Sequence, residues 1–226
     1  MTPLDTGAIL LTLKLAAVST FILVIIGTPV AWWLAQSRGA RRTFVESVIA
    51  LPLVLPPTVV GFYLLVAFSP DASLGKLWLQ ITGSNLAFTF SALVLGSVLY
   101  SMPFVIQPLQ SAFRQVPKDI LEAAATMGAK PREQFFSVVL PVCRRSFITA
   151  ASLGFAHTVG EFGIVLMIGG NIPNETQVLS IRLYDQVESL QYSQAHSLAA
   201  GLLVFSFLLL YLIYRGDKQA RVGFGS

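Results

Sequence analysis

A histidine and a glutamate in an apolar segment are the first residues of this sequence that could do chemistry together. His157 and Glu161 lie four residues apart in the run AASLGFAHTVGEFG. On a continuous helix this spacing puts both side chains on one face, where they could hydrogen-bond to each other. Two such groups are too few for a closed metal site, and the order H-E-x-x-H of zinc proteases is absent. We therefore expect a mutually satisfied pair near a pathway or a helix end, with a proton relay as the alternative.

The composition indicates that this pair lies inside a membrane. Of the 226 residues, 54% are hydrophobic and 12% are charged, and the mean hydropathy is +0.72. Soluble domains carry about a quarter charged residues, so we do not expect a water-soluble globule. The net charge of +4 does not indicate a nucleic-acid partner, because the basic residues form short clusters between apolar stretches. The single Cys143 excludes an internal disulfide.

Five apolar stretches are long enough to cross a membrane as helices, which takes roughly 20 residues each. They cover residues 9–34, 44–68, 86–106, 147–168 and 198–214. The sequence thus predicts an all-α integral membrane protein with about five transmembrane helices, and a single transmembrane domain over residues 1–226. Residues 178–190 carry Arg182, Asp185 and Glu188, so we interpret them as an interfacial or re-entrant helix, with a short sixth span as the alternative.

Lysine and arginine residues indicate which side of the membrane each loop occupies, because short cytoplasmic loops carry an excess of them. The first and third connections and the C-terminal tail are rich in Lys and Arg, whereas the second and fourth are not. The C-terminus is therefore expected in the cytoplasm. An odd number of spans then places the N-terminus outside, and the acidic Asp5 before the first span agrees with this orientation.

Prolines interrupt the second span in the run LPLVLPP, residues 51–57. Each proline removes a backbone donor and clashes with the preceding turn, so this helix is predicted to be kinked or unwound. In a membrane, the freed carbonyl groups must be buried in protein or line a wet cavity. We therefore expect the break to face a path through the membrane, with a bent packing helix as the alternative. Pro103 and Pro108 are expected to bend or end the third span.

Small residues recur every four positions in the fourth span, at Ala150, Gly154 and Thr158 and again at Ala156 and Gly160. Side chains of this size let membrane helices approach closely. We interpret the series as a packing seam.

The third connection, about residues 110–145, is too long for a simple turn and carries its own helix signals. In PKDILEAAATMG, Pro117 suits a first helical turn, Asp119 suits the positive end of the helix dipole, and Gly128 can adopt the left-handed conformation that stops a helix. Pro131 begins a second helix in PREQFFSVVLP, whose apolar side chains either contact a partner or pack beneath the membrane-embedded body.

The spacing within this connection resembles the EAA loop of ABC importer permeases: EAA, three residues, Gly128, nine residues, then VVLP. Val138 stands where the pattern usually has isoleucine. The resemblance implies a type I importer permease bundle and a loop that docks in a groove of a separate ATP-hydrolysing subunit. It implicates Glu122, Ala123, Ala124, Gly128, Leu140 and Pro141 in that docking. A rigid helix at this place could transmit closure of the ATPase domains to the spans.

Partners must supply what this chain lacks. The sequence contains no G-x-x-x-x-G-K-[ST] phosphate-binding loop, so we expect neither ATP hydrolysis nor a cofactor or metal of its own. About five helices can hardly enclose a pathway. We therefore expect a homodimer around a two-fold axis above two ATPase subunits, with a permease heterodimer as the alternative.

Three further segments resemble the molybdate and tungstate branch of these permeases: LPLVLPP followed by Gly61, GEFG at residues 160–163, and NIPNET at residues 171–176. The resemblance extends over nearly the whole chain and implies a bacterial inner-membrane location and molybdate as substrate, with sulfate as the alternative. The candidate pathway or gate region comprises Pro56, Pro57, His157, Gly160, Glu161 and Gly163. Because the spans hold almost no cations, selectivity is expected to reside in an extracytoplasmic oxyanion-binding protein.

Two other functional classes explain less of the sequence. An intramembrane enzyme could use the histidine and glutamate as acid and base, but the chain has no G-x-S-x-G nucleophile elbow. A stand-alone secondary transporter would suit broken helices, yet no inverted repeat is evident among the spans. Neither class explains the loop between the third and fourth spans.

Overall fold

The computed structural model describes residues 3–221 and contains helices and no strands in that range. In chain order the helices are α1 (Pro3–Gln36), α2 (Ala40–Val54), α3 (Pro57–Phe68), α4 (Ser73–Thr82), α5 (Phe90–Arg114), α6 (Lys118–Thr126), α7 (Pro131–Gln134), a π-helical turn (Phe135–Val139), α8 (Leu140–Val142), α9 (Arg144–Gly160), α10 (Gly163–Gly169), α11 (Leu179–Glu188) and α12 (Tyr192–Arg221).

Three of these helices, α1, α5 and α12, are each long and apolar enough to cross a membrane. Two further pairs of helices reach that length as broken spans: α2 with α3, bent by 113°, and the segment Pro131–Val142 with α9, bent by 74°. Counting each pair once gives up to five spans. The all-α membrane fold and the break in the second span are therefore confirmed.

The core is formed by α1, α5 and α9, which pack against one another along most of their length. Leu15 and Leu23 of α1 and Leu109 of α5 are almost fully buried. On α9, a Cβ atom added to Gly154 would lie 2.6 Å from Cγ2 of Val105. Ala150, Gly154 and Thr158 are buried and agree with the predicted packing seam, whereas Ala156 is half-buried and Gly160 is exposed with no atom within 4 Å of an added Cβ.

The structure corrects two expectations about helix ends. Of the two alternatives expected at Pro103 and Pro108, an end of the third span is excluded, because α5 continues through both prolines to Arg114. Prolines are tolerated in membrane helices when neighbouring groups satisfy the freed backbone. The fourth span is not one helix, because α9 ends at Gly160 and α10 begins at Gly163. Between them, Glu161 has an extended backbone with φ −71° and ψ 132°.

The segment 178–190 forms α11, which agrees with the predicted interfacial or re-entrant helix. Its 10 residues rise about 15 Å, half of the roughly 30 Å hydrocarbon core. The sequence analysis missed α4, a helix of the same length in the second connection, which ends at Gly83 with φ +71°. Neither helix is long enough to cross the membrane alone.

The two ends of α1 make contacts with different parts of the bundle. Near its N-terminus, Asp5 Oδ1 pairs with Arg182 Nε of α11 at 3.1 Å. Near its C-terminus, the Trp32 ring meets Phe135 of the π-helical turn edge-on, with ring centroids 5.4 Å apart. The loop after α10 and the loop after α5 therefore lie at opposite ends of α1.

Candidate functional site

A partly open cavity of about 630 Å³ lies between α3, α5, α9 and α10. Five of the six residues predicted from the sequence as the pathway or gate region line this cavity: Pro57, His157, Gly160, Glu161 and Gly163. Pro56 does not line it but is the residue before α3. The sequence analysis missed Thr58, Tyr100, Ala156, Phe162, Leu166 and Met167, which complete the lining.

Two helix breaks build this cavity. At the first, Leu55 and Pro56 are extended, with ψ of 138° and 139°, and Pro57 begins α3. At the second, the chain leaves α9 at Gly160 and starts α10 at Gly163. The breaks touch, because a Cβ atom on Gly163 would lie only 2.6 Å from Cβ of Pro57. Glycine at this position therefore lets the two interrupted spans meet at the cavity wall.

His157 is held by neighbours on α5. Its Nδ1 lies 2.9 Å from Oγ of Ser101, which in turn lies 3.1 Å from Oγ1 of Thr158. The imidazole stacks on the Phe104 ring, with centroids 3.9 Å apart and planes inclined by 24°. These contacts fix the orientation of the imidazole at the cavity wall.

Glu161 does not pair with His157, so the predicted hydrogen-bonded pair is wrong. The reason is the end of α9: Glu161 follows the last helical residue, and its extended backbone takes it off the helical face that His157 occupies. Glu161 is 5% exposed, and neither carboxylate oxygen has a hydrogen-bond partner of standard geometry, although the Ser97 hydroxyl lies beside it. The Glu161 carbonyl oxygen accepts a 2.6 Å hydrogen bond from Ser180 Oγ.

The cavity lining contains few groups that could hold an ion tightly. Its lining offers the Thr58 and Tyr100 hydroxyls and one imidazole, and none of the lining residues is lysine or arginine. No cluster of three or more metal-ligating side chains occurs among the described residues. A dianion would therefore find hydroxyl and backbone donors here, but no cation to hold it.

The first half of the loop after α5 forms an exposed helix. None of the residues of α6 is buried, and this helix carries Glu122, Ala123 and Ala124. Gly128 has φ +88° and ends the segment, as predicted, while the amide of Ala129 donates to the Ala124 carbonyl at 3.0 Å. The sequence analysis did not single out Met127, whose side chain is 88% exposed.

The second half of this loop is packed under the bundle. It starts at Pro131, as predicted, and continues into the π-helical turn that precedes Leu140 and Pro141. Phe135 contacts both Trp32 of α1 and Phe113 of α5, with ring centroids 5.4 and 5.9 Å apart. The loop thus combines an exposed first helix with a second one anchored to the core.

Comparison with known proteins agrees with this fold. The family described as binding-protein-dependent transport system inner membrane component matches residues 27–216. The chain is 53% identical over 214 residues to the molybdenum transport system permease protein ModB of Azotobacter vinelandii, covering 95% of each sequence. It is 31% identical over 221 residues to the sulfate transport system permease protein CysT of Escherichia coli strain K12, covering 98% of this chain and 79% of that one.

A solved structure gives the same result for the fold. A chain in the crystal structure of a bacterial alginate ABC transporter, in complex with its alginate-bound periplasmic protein, matches with a TM-score of 0.76. The match covers 97% of this chain and 80% of that chain at 14% identity, so it concerns the fold alone. The chain belongs to the family of binding-protein-dependent transport system inner membrane components, and its bundle is that of the ABC importer permeases.

Proposed function

We propose that this chain is the membrane-spanning permease subunit of an ATP-driven importer of molybdate. The observation that carries this proposal is the much higher identity with the molybdenum permease than with the sulfate permease, over nearly the whole chain in both comparisons. Sulfate, which shares the tetrahedral oxyanion chemistry, is the second candidate.

The cavity between the two helix breaks supports the pathway assignment. It is large enough for a tetrahedral oxyanion, and its lining has two hydroxyl groups, an imidazole and the Glu161 carboxylate but no lysine or arginine. Weak binding suits a passage, because a tight site would slow release. We therefore propose Pro56, Pro57, His157, Gly160, Glu161 and Gly163 as the pathway region, with selectivity supplied by an extracytoplasmic oxyanion-binding protein.

The exposed helix α6 supports the coupling assignment. A helix without buried residues, which exposes Ile120 and is followed by the exposed Met127, leaves apolar surface that a partner could cover. We propose that this loop docks on an ABC ATPase through Glu122, Ala123, Ala124, Gly128, Leu140 and Pro141.

The partly open cavity supports an assembly of two permeases. One chain contributes four helices to a wall that leaves part of the cavity uncovered. We propose a homodimer around a two-fold axis, carrying two ATPase subunits, with a permease heterodimer as the alternative.

The proposed orientation places the N-terminus outside and the C-terminus in the cytoplasm of a bacterial inner membrane. It is supported by the contacts of α1, whose first residues meet α11 and whose last turn meets the proposed ATPase-docking loop. If that loop is cytoplasmic, the beginning of α1 lies on the other side.

The test is ATP-driven uptake of labelled molybdate into proteoliposomes that contain this chain, its ATPase and its binding protein. Excess sulfate serves as competitor. Uptake that sulfate barely reduces would support molybdate, and strong competition would favour sulfate or a broad oxyanion importer. Uptake without ATP would refute the importer assignment.

A further inference from the structure

A second polar cleft lies between α1, α2 and α5, nearer to the end of α5 that leads into the loop with α6. It has a volume of about 350 Å³. Its polar lining comes from α2 and α5 and comprises Thr43, Glu46, Ser47, Gln107 and Gln110. The cleft is therefore far more polar than the space around the exposed apolar faces of the bundle.

Three donors converge on one oxygen of Glu46, which lines this cleft together with Gln110, whereas Arg42 and Arg114 reach Glu46 from beside the lining. Glu46 Oε1 accepts from Arg42 Nε at 3.0 Å, from Gln110 Nε2 at 2.5 Å and from Arg114 Nη2 at 2.7 Å. The residues come from two helices and are up to 68 positions apart in sequence. Glu46 thereby binds the end of α5 to α2.

This donor set is the chemistry that recognises an oxyanion. Two guanidinium groups and a carboxamide offer directed N–H donors, and guanidinium groups match the oxygens of carboxylate and phosphate-like anions. The central cavity has no such group. In the present conformation the donors are occupied by a carboxylate of the chain itself.

The cleft continues the line of the central cavity along one face of α5. Tyr100 lines the central cavity and Gln107 lines the cleft. Seven residues are close to two helical turns, so both side chains share a face about 10.5 Å apart along the helix axis. Phe104, which stacks on His157, lies between them on this face. The central cavity and the cleft therefore follow one another along α5, with this stack between them.

We propose that this cleft is an exit site for the transported oxyanion, in which the oxyanion competes with Glu46 for Arg42 and Arg114. The inference rests on the proposed function and extends it. An anion that arrives takes over the two guanidinium groups, and the return of the Glu46 carboxylate to them expels the anion toward the cytoplasm. The oxyanion is expected to bind weakly, because the Glu46 carboxylate always competes with it for the donors.

The test measures binding of labelled molybdate by equilibrium dialysis to the detergent-solubilised complex of this chain with its ATPase, without the binding protein. Glu46→Gln removes the competing charge and keeps the side-chain size. Its molybdate Kd should fall by about tenfold, the ratio expected for one charge-assisted hydrogen bond. Arg114→Gln removes a donor and should raise the Kd by about the same factor.

Arg41→Gln is the matched control, because Arg41 is an exposed arginine on the same helix that forms no ion pair with Glu46, unlike Arg42 and Arg114. Its Kd should equal that of the wild type. Each variant complex is used for binding measurements only if its elution volume and ATPase rate match those of the wild type. If Arg114→Gln does not assemble, Arg42→Gln takes its place. Equal molybdate Kd values for the wild type and for Glu46→Gln would overturn the exit site.

Competition with inorganic phosphate, an abundant cytoplasmic anion of the same shape, tests whether the cleft is selective for the transported substrate. Bound molybdate that resists a large excess of phosphate supports a site for the substrate. Displacement by phosphate at equal concentration would overturn this assignment. Failure of the inference is distinguishable from failure of the proposed function, since wild-type proteoliposomes would still take up molybdate when only the exit site is wrong.

Discussion

Gly163→Ala tests how closely α10 approaches α3, the two helices that begin after the breaks at the central cavity. A Cβ atom at this position would lie 2.6 Å from Cβ and 3.5 Å from Cγ of Pro57, whereas real Cβ contacts essentially never fall below 3.0 Å. The proline ring cannot rotate away, because it is closed onto its own backbone. The added methyl group must therefore push α10 away from α3.

The expected cost follows from this overlap. Overpacking by one methyl group costs about 1–3 kcal/mol. Gly160→Ala is the matched control: Gly160 flanks the same break, yet no atom lies within 4 Å of its added Cβ. Since Gly160 is the last residue of α9, alanine there should be neutral or stabilise by up to about 1 kcal/mol. The two variants should thus differ by about 1–4 kcal/mol.

Thermal unfolding in detergent, followed by tryptophan fluorescence, measures this difference. A chain of this size loses about 2–4 °C in Tm for each kcal/mol. Gly163→Ala should therefore unfold several degrees below Gly160→Ala, and its molybdate uptake should fall with it. Equal Tm values for the two variants would refute the close approach of α10 and α3 and, with it, our account of how the cavity wall is closed.

Three further changes test the coupling loop and the two ends of α1. Gly128→Ala should lower ATP-driven uptake, because alanine at a φ of +88° costs about 1–2 kcal/mol. Gly39→Ala is the control: Gly39 has a similar φ of +87° but lies outside the coupling loop, so this variant should retain uptake. Phe135→Ala should lower Tm and uptake together, because truncating a packed aromatic ring costs about 3–5 kcal/mol. Arg182→Gln should destabilise the chain by about 1–3 kcal/mol, because it removes one partner of the buried Asp5 carboxylate, to which Gln186 Nε2 still donates at 3.2 Å.

Each of these predictions has an outcome that contradicts it. Equal loss of uptake in the variants of Gly128 and Gly39 would assign the defect to backbone strain in general. A Tm for Phe135→Ala no lower than that of Phe136→Ala, which removes a ring that is largely exposed, would show that the aromatic contact does not hold the loop. An unchanged Tm for Arg182→Gln would remove the ion pair from the account of α1.

Local chemistry explains which breaks were predictable. The break before Pro57 follows from three prolines within seven residues, each of which removes a backbone donor. The break at Glu161 carries no proline. Its only local signal is the pair Gly160 and Gly163, and glycine is compatible with a continuous helix at a cost of about 1 kcal/mol. The apolar pattern continues through both breaks, so periodicity alone could not tell them apart.

Contacts between distant segments explain what the sequence could not predict. The approach of Glu46 to Gln110 and Arg114 joins residues 64 and 68 positions apart, and the Asp5 to Arg182 pair joins residues 177 positions apart. These pairings depend on how the spans pack, and no local spacing rule specifies them. The loop after α5 was predictable because its helix signals are all local.

The distribution of polar contacts suggests where this bundle can rearrange. Ion pairs occur near the ends of the spans, where water can replace a lost partner: Arg182 is paired at one end and Arg114 at the other. Between them, the Ser97 hydroxyl and the Glu161 carboxylate are buried without standard hydrogen bonds. Polar groups of this kind are costly in a low-dielectric interior, so they gain most from a conformation that admits water. The groups beside the partly open central cavity therefore favour a conformation that hydrates them, and an importer that opens alternately to each side needs to release the ion pairs at only one end at a time.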